Sequence, residues 1–178
     1  MRPLVVKGTK VSLGVILRED LEKFWLWYND PDVRRFLANP DVFSYRENEY
    51  EWYDSLRKDF HRRRVFAIVE NSSQEAIGVI GLHKIDWRNG TAEVGYWLWK
   101  EYWGRGYGSE AVKLLVKYAF EVMNLRKLYA RVLEPNEASK RILEKNGFKL
   151  AGRLRKHHRV PGGDYVDVLI YELFRYAP

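Results

Sequence analysis

The segment from residue 94 to residue 112 constrains the fold of this chain more than any other. It reads VGYWLWKEYWGRGYGSEAV, which is an apolar strand pattern, then alternating glycines, then a helical pattern. Alternating glycines let the backbone turn sharply, and the first N–H groups of a helix have no partner within the helix. The segment therefore predicts a strand–loop–helix unit whose loop binds a phosphate or pyrophosphate. The helix is predicted by six residues at helical spacing: Ala111, Leu114, Leu115, Tyr118, Ala119 and Val122.

Three kinds of nucleotide-binding loop can be compared with this segment. A phosphate-loop NTPase would end the loop in Gly-Lys-Ser/Thr, and no lysine is present there. A dinucleotide fingerprint counted from Gly104 and Gly106 would need a third glycine where Ser109 stands. The remaining alternative is a Gly-x-Gly-x-Gly turn that binds the pyrophosphate of an acyl-CoA. On the turn alone, a loop that merely connects strand to helix is an equal alternative.

Composition limits the classes of function. The 178 residues fit one domain, and the absence of cysteine excludes disulfides, zinc–thiolate sites and thiol nucleophiles. The four histidines lack metal-site spacing, so we expect no metal. No apolar run approaches the roughly 20 residues of a membrane span, and the N-terminus lacks a signal-peptide pattern. We therefore expect a cytoplasmic protein without a membrane partner. The net charge of +7 favours a phosphorylated cofactor, an acidic peptide or nucleic acid as partner.

The whole chain reads as one α+β domain around a mixed sheet. Ser44 and Glu47 predict a capping box at a helix start, and Asn136 predicts a second helix N-cap. Asn89 and Gly90 predict a hairpin turn. We expect strands at residues 10–17, 65–70, 76–86, 91–98, 128–133, 148–158 and 165–174. We expect helices at residues 20–29, 32–38, 44–60 and 136–146, and from the glycine loop to residue 122.

Two stretches, AEVGYWLWKEYWGRGYGSEA and LYARVLEPNEASKRILEKNGFKLAGRLR, resemble the GCN5-related N-acetyltransferase (GNAT) superfamily. Within it the chain resembles the Rim-type ribosomal-protein acetyltransferases, over residues 11–173. Its anchors are the glycine loop and the motif from Asn136 to Phe148; one departure is Trp103, where the family often has Arg or Gln. The resemblance implies a mixed, mostly antiparallel sheet that is splayed at its centre, with helices on both faces. It also implies a single acetyltransferase domain over residues 1–178.

The resemblance implies acetyl-CoA as co-substrate. Its pantetheine would lie between the strands that end at Leu98 and Leu133, against the exposed backbone edge of the first. Its pyrophosphate would take N–H groups of the glycine loop, and Asn136 would reach the pantetheine from the far side. The implied cofactor residues are Tyr96, Trp97, Leu98, Arg105, Gly106, Tyr107, Gly108, Ser109 and Asn136.

Catalytic roles also follow from the resemblance. Ser139 would protonate the leaving CoA thiolate, although a polar residue in a helix's first turn is nearly as good an interpretation. The base that deprotonates the amine would be Glu93 or His158, and a water chain without a single base is the third alternative. Strand alternation places His158 on the same side as Leu154, which we expect to face the core. A structural hydrogen bond is the competing role for Glu93.

The implied activity is acetyl transfer to a primary amine. The first choice of acceptor is the N-terminal α-amine of a protein such as a ribosomal protein. A polyamine, amino acid or amino sugar is the alternative within enzymes, and a non-catalytic module that binds RNA or ribosomes is the alternative from another class. We expect a monomer or homodimer. The acceptor wall would include the aromatic residues Trp25, Tyr28, Phe43 and Trp52, which core packing explains equally well.

Overall fold

The computed structural model describes residues 1–37 and 42–178. Within that part of the chain the strands are β1 (Leu4–Val6), β2 (Val11–Gly14), β3 (Arg64–Glu70), β4 (Ala76–Asp86), β5 (Thr91–Leu98), β6 (Lys127–Leu133), β7 (Lys149–Arg159) and β8 (Tyr165–Phe174). The helices are α1 (Leu21–Tyr28), α2 (Pro31–Arg34), α3 (Arg46–Lys58), α4 (Tyr107–Lys117) and α5 (Glu137–Lys145). The strands form one sheet in the order β1-β2-β3-β4-β5-β6-β8-β7.

The sheet opens between β5 and β6. These two strands are parallel, and they pair only where Thr91, Ala92 and Glu93 lie opposite Lys127, Leu128 and Tyr129. All the other neighbouring strands are antiparallel. Beyond Glu93 the edge of β5 is therefore left free of β6, and the predicted mixed sheet splayed at its centre is confirmed.

Helices cover both faces of this sheet. One face packs against α4 and α5 in a large apolar cluster that includes Leu13, Ile80, Leu82, Val94, Leu115, Leu128 and Leu143. The other face packs against α1 and α3 in a smaller cluster around Phe24, Ala67, Val69 and Val79, with Trp52 and Trp97 at its border. Because side chains alternate along a strand, successive residues of β5 contribute to different faces.

The start of α3 differs from the predicted capping box. The helix begins at Arg46 with Tyr45 as its N-cap residue, and the Asn48 side-chain oxygen accepts a hydrogen bond from the Tyr45 N–H at 3.0 Å. The Ser44 hydroxyl instead bonds to Glu49, at 2.9 Å. The Ser44–Glu47 box is therefore wrong by one position, because Asn48 supplies the reciprocal bond that the pattern assigned to Glu47.

The helix expected up to residue 122 ends in a π-helical turn, Tyr118–Val122, which follows α4 and leaves Val122 68% exposed. One more expectation fails where a strand gains residues. In β7 the pairing passes from Leu154 to His158 while β8 advances by only two residues, and Lys156 has φ 48°. Leu154 is 38% exposed, so the expectation that it faces the core is wrong. The short edge strand β1 was not predicted, and β2 is shorter than expected.

Candidate active site

The glycine loop is held in a left-handed conformation just before α4. Gly104 has φ +72° and Gly106, the N-cap residue of α4, has φ +81°. A Cβ at Gly104 would meet no atom within 4 Å, so the requirement for glycine there comes from the backbone angle and not from crowding. The loop thus leads directly into the unpaired N–H groups of the first turn of α4.

Gly108 has a different role. It lies within α4, where an added Cβ would stand 3.0 Å from Ile142 Cδ1 and 3.2 Å from Leu98 Cδ1. Its missing side chain therefore lets the first turn of α4 approach α5 and the end of β5. This close approach places the loop, the strand end and α5 around one space.

The turn between β1 and β2 supports the loop from outside. The Glu110 carboxylate accepts the backbone N–H of Lys10 at 3.1 Å, and Lys10 Nζ donates to the Arg105 carbonyl at 3.2 Å. The Tyr107 hydroxyl donates to Glu70 at 2.7 Å. These contacts hold the loop at Arg105 and the first turn of α4 at Tyr107 and Glu110, which helps to orient the N–H groups before any ligand binds.

A cavity of about 410 Å³ lies between the glycine loop, the end of β5, the start of α5 and the segment around α2. All the predicted cofactor residues except Arg105 line it. The Arg105 guanidinium lies over the Tyr102 ring, at 5.7 Å from its centroid. Other residues that line the cavity were not predicted from the sequence, among them Arg35, Phe36, Trp103, Arg141 and Ile142. Arg35 and Arg141 bring two cations to a mostly apolar cavity, which suits a ligand with both phosphate and uncharged parts.

The backbone of β5 has unused hydrogen-bonding groups beside this cavity. The Trp99 N–H donates to the Ile77 carbonyl at 2.9 Å, so the odd-numbered residues of β5 direct their backbone groups toward β4. Tyr96 and Leu98, and not Trp97, therefore direct theirs toward the gap. The Leu98 carbonyl already accepts the Trp103 indole N–H at 2.9 Å. Tyr96 is left with the free backbone edge that an extended ligand can pair with.

Ser139 and Tyr96 form a hydroxyl pair in the wall of the cavity. Their oxygens are 2.7 Å apart, and the Ser139 N–H donates to the Asn136 side chain at 3.2 Å, so the predicted N-cap is confirmed. Burial raises the pKa of Tyr96 to about 12, against a smaller opposite effect of the Ser139 hydrogen bond. Tyr96 therefore keeps its proton at neutral pH and can donate to Ser139 Oγ, which leaves the Ser139 proton free to point elsewhere. The sequence predicts a role for the backbone of Tyr96 and none for its hydroxyl.

Glu93 is already paired with two cations. Its side chain is 12% exposed, with Oε1 at 2.7 Å from Arg131 Nε and Oε2 at 2.7 Å from Lys84 Nζ. Burial raises the pKa of Glu93, but the hydrogen bonds from Lys84 and Arg131 outweigh burial and hold the pKa below its usual value. A carboxylate in that state binds a proton weakly.

His158 lies away from the cavity, half-buried on β7. Its Nε2 is buried and has no hydrogen-bond partner in the part of the chain that the structure describes. The bulge at Lys156 precedes it, so its orientation depends on an irregularity that strand alternation does not anticipate. Nothing in this geometry joins His158 to the Tyr96–Ser139 pair.

The aromatic residues predicted for the acceptor wall mostly join α1 to α3. The Trp25 indole N–H donates to the Ser44 carbonyl at 2.7 Å, and Trp52 packs against the smaller apolar cluster. Burial raises the pKa of Tyr28. Phe43 is 60% exposed and meets the Tyr45 ring edge-on at 5.2 Å. None of the four lines the 410 Å³ cavity, so the structure does not bring them to the cofactor residues.

Residues 1–37 and 42–178 contain neither a metal-binding cluster nor a membrane-spanning helix. No three His, Asp or Glu side chains in these ranges are grouped so as to hold a metal ion. No helix in them is both long and apolar enough to cross a membrane.

Three known proteins that are similar in sequence to this chain are all N-acetyltransferases. The N-acetyltransferase p20 of Bacillus licheniformis is 31% identical over 169 residues, which are 93% of each chain. The spermidine N(1)-acetyltransferase of Escherichia coli (strain K12) is 31% identical over 93% of this chain and 87% of its own. The ribosomal-protein-serine acetyltransferase of the same strain is 34% identical over 97 residues, 54% of each chain.

Solved structures share the fold. The spermidine N-acetyltransferase from Vibrio cholerae in complex with CoA and spermine has a TM-score of 0.87 at 21% identity, and covers 94% of this chain and 97% of its own. RimL, the ribosomal L7/L12 alpha-N-protein acetyltransferase in complex with coenzyme A, has a TM-score of 0.85 at 20% identity, with 96% and 97% covered. At these identities the likeness concerns the fold.

A family model described as an acetyltransferase (GNAT) domain matches residues 13–149, which is most of the chain. The matched range contains the splayed strands, the glycine loop and the Asn136–Ser139 turn. The resemblance to Rim-type enzymes and the interpretation as an acyltransferase are confirmed. The protein belongs to the GNAT family and is an N-acetyltransferase with acetyl-CoA as its co-substrate.

Proposed function

We propose that this enzyme acetylates the N-terminal α-amine of a protein, such as a ribosomal protein, by direct attack of the amine on the thioester of acetyl-CoA. The observation that carries the chemistry is the Tyr96–Ser139 hydroxyl pair, 2.7 Å apart in the wall of the cavity that the glycine loop borders. Thioester aminolysis expels a thiolate, and a positioned O–H group there can protonate it.

The residues of the cavity fit the two chemical halves of the co-substrate. Pyrophosphate suits the N–H groups of residues 105 to 109, since Gly104 and Gly106 open the loop and α4 adds its dipole. The pantetheine amides suit the free backbone edge at Tyr96 and the Asn136 side chain. Where the pantetheine pairs with the Tyr96 carbonyl, the Tyr96 N–H remains to donate to the oxyanion of the tetrahedral intermediate.

Asp32 in the cavity and Glu93 beside the opening of the sheet are already paired with cations, which favours an acceptor with a single positive charge. Asp32 is the carboxylate that lines the cavity in the described ranges, and it lies 3.2 Å from Lys100 Nζ. Glu93 is paired with Lys84 and Arg131. A polyamine carries several positive charges and needs free carboxylates to balance them, whereas a peptide α-amine brings only one charge. This difference supports the peptide acceptor over spermidine, although relatives of both kinds exist.

The experiment compares three acceptors by the release of CoA thiol. A short peptide with a free N-terminus should be acetylated, and the same peptide with a blocked N-terminus and an internal lysine should not. Spermidine should have a kcat/KM at least about tenfold lower, the effect of about 1.4 kcal/mol of transition-state binding. A higher kcat/KM for spermidine than for the free peptide would assign the enzyme to small amines instead.

The proposal extends to the whole chain. Residues 1–178 would act as one acetyltransferase domain, which the single sheet running from β1 to β8 supports. The enzyme would work in the cytoplasm, where acetyl-CoA is available, as a monomer or homodimer. Sedimentation equilibrium distinguishes the two assemblies, because they differ twofold in mass.

A further inference from the structure

We propose that His83 is the general base that takes the proton from the acceptor amine. The proposal rests on acetyl transfer to an amine, and it holds for a peptide or a small-molecule acceptor alike. It concerns a residue on β4 that lies outside the 410 Å³ cavity, on the other face of the sheet from Ser139.

The position of His83 relative to the opening of the sheet carries the argument. His83 lies opposite Glu93 in the pairing of β4 with β5, on the same face as Gly95. An added Cβ at Gly95 would lie 3.4 Å from His83 Cδ2 and Nε2 and would meet no other described atom within 4 Å. The missing side chain therefore leaves a niche over β5, and the His83 ring forms its wall. This niche begins two residues beyond Glu93, the last β5 residue that pairs with β6.

The niche and the hydroxyl pair lie on opposite faces of β5. Tyr96 packs with the cluster beneath α4 and α5, and its neighbour Gly95 faces the other way. An amine that enters over Gly95 thus reaches the gap from the side opposite to Ser139. Such an arrangement separates the group that accepts a proton from the group that donates one.

The charges around His83 keep its ring neutral at pH 7. Burial is the largest effect and lowers the pKa of His83, the cations Arg63 and Lys84 lower it further, and Glu93 raises it. Both Glu93 oxygens are already paired, with Arg131 and Lys84. Arg63 is itself held at 3.0 Å by Asp59, the residue that follows α3, and Tyr129 of β6 lies opposite Glu93.

The proton balance is as follows. The neutral His83 ring accepts one proton from the bound ammonium, and the free amine then forms a C–N bond with the thioester carbon. As the C–S bond breaks, the nitrogen loses its second proton to water. The thiolate takes a proton from Ser139, and Ser139 is reprotonated through Tyr96 from that water. Protonated His83 returns its proton to solvent. The products are the acetamide, CoA thiol and one released proton.

The test is the pH dependence of kcat/KM, measured with the acceptor that the wild-type enzyme prefers, either the free peptide or spermidine. With a neutral His83, the wild-type value should rise through an apparent pKa below about 6.5, the usual value for histidine, and then level off. His83→Gln should lose this plateau and rise until the acceptor amine itself deprotonates, near pH 8 for a peptide α-amine and at higher pH for spermidine. We expect a loss of about 10²-fold at pH 7 that shrinks toward pH 9.

Controls separate this role from folding and from other bases. His83→Gln should bind acetyl-CoA with unchanged affinity in calorimetry, and His157→Gln, exposed on β7, should keep the wild-type profile. In wild-type protein with 13C-labelled histidine, the NMR titration midpoint of His83 should lie below about 6.5, the usual histidine value. The proposal is overturned if His83→Gln keeps the plateau, or if His158→Gln or Glu93→Gln removes it. Loss of the peptide preference alone would contradict the proposed function and leave this test intact.

Discussion

The two faces of β5 are built in different ways. On the face beneath α4 and α5, the site depends on backbone: left-handed glycines, the unpaired first turn of a helix and a free strand edge. On the face beneath α1 and α3, it depends on side chains, namely His83, Glu93 and the cations around them. A site built from backbone groups requires glycines and helix caps, which are recognisable in a sequence. A cluster of side chains from several strands has no local sequence pattern. The cofactor side is therefore predictable from sequence and the acceptor side is not.

The largest expected effect is on the backbone-built side. Gly106→Val should weaken acetyl-CoA binding by about 10²-fold, because a β-branched residue strongly disfavours φ +81° and would move the loop N–H groups. Calorimetry measures the affinity. The matched control is Gly152→Val on β7, where an added Cβ meets no atom within 4 Å and φ is not left-handed. Equal losses in both variants would show that the left-handed backbone is not what the ligand requires.

Gly108→Val should destabilise the protein by about 1–3 kcal/mol, the usual cost of overpacking. The new side chain would press on Ile142 and Leu98, which stand 3.0 and 3.2 Å from the position of its Cβ. Urea denaturation measures the loss, again against Gly152→Val. An unchanged midpoint would mean that α4 and α5 separate freely, which the packing argument does not allow.

The Tyr96–Ser139 pair combines both kinds of construction, because the helix N-cap residue Asn136 binds the backbone of Ser139 and so positions its hydroxyl. Ser139→Ala should lower kcat about tenfold and leave acetyl-CoA affinity unchanged; a thiolate is a good leaving group, so the effect lies below the usual range for general acids. Tyr96→Phe should give a smaller decrease because Ser139 keeps its own proton. Steady-state kinetics and calorimetry on the same preparations separate kcat from binding. A wild-type kcat in Ser139→Ala would return Ser139 to a structural role.

The smallest effect tests the charges on the acceptor side. Glu93 raises the pKa of His83, so Glu93→Gln should shift the acidic limb of kcat/KM to lower pH, by less than about one unit. The substitution also leaves the charges of Lys84 and Arg131 unbalanced, and the Lys84 cation lowers the pKa of His83 further. A shift of the limb to higher pH would show that Glu93 does not act on His83.

Particular residues show where sequence reasoning stops. Thr91–Leu98 and Ala76–Asp86 were predicted with their observed bounds, since a hairpin signal and apolar alternation define both strands. Leu154 was misplaced because a bulge in β7 changes which face the following residues occupy, and the bulge has no sequence signature. The Tyr96–Ser139 pair joins β5 to α5 across 43 positions of sequence, so only the fold brings it together.

His83 illustrates the limit most clearly. In sequence it is a lone histidine at the end of an apolar run. Its relevance comes from Gly95 on the next strand, whose missing Cβ opens the niche, and from Glu93 and Arg63 on either side. Only the pairing register of β4 with β5 places His83 next to Gly95 and Glu93, and the sequence does not give that register.

The most direct test of the central claim is to identify what the enzyme acetylates. The purified protein is incubated with isotope-labelled acetyl-CoA and a cell extract, and mass spectrometry locates the label. The account predicts acetyl groups on the N-terminal α-amine of one or a few proteins, and none when Gly106→Val replaces the wild type. Label found only in small amines, or only on lysine side chains, would contradict it.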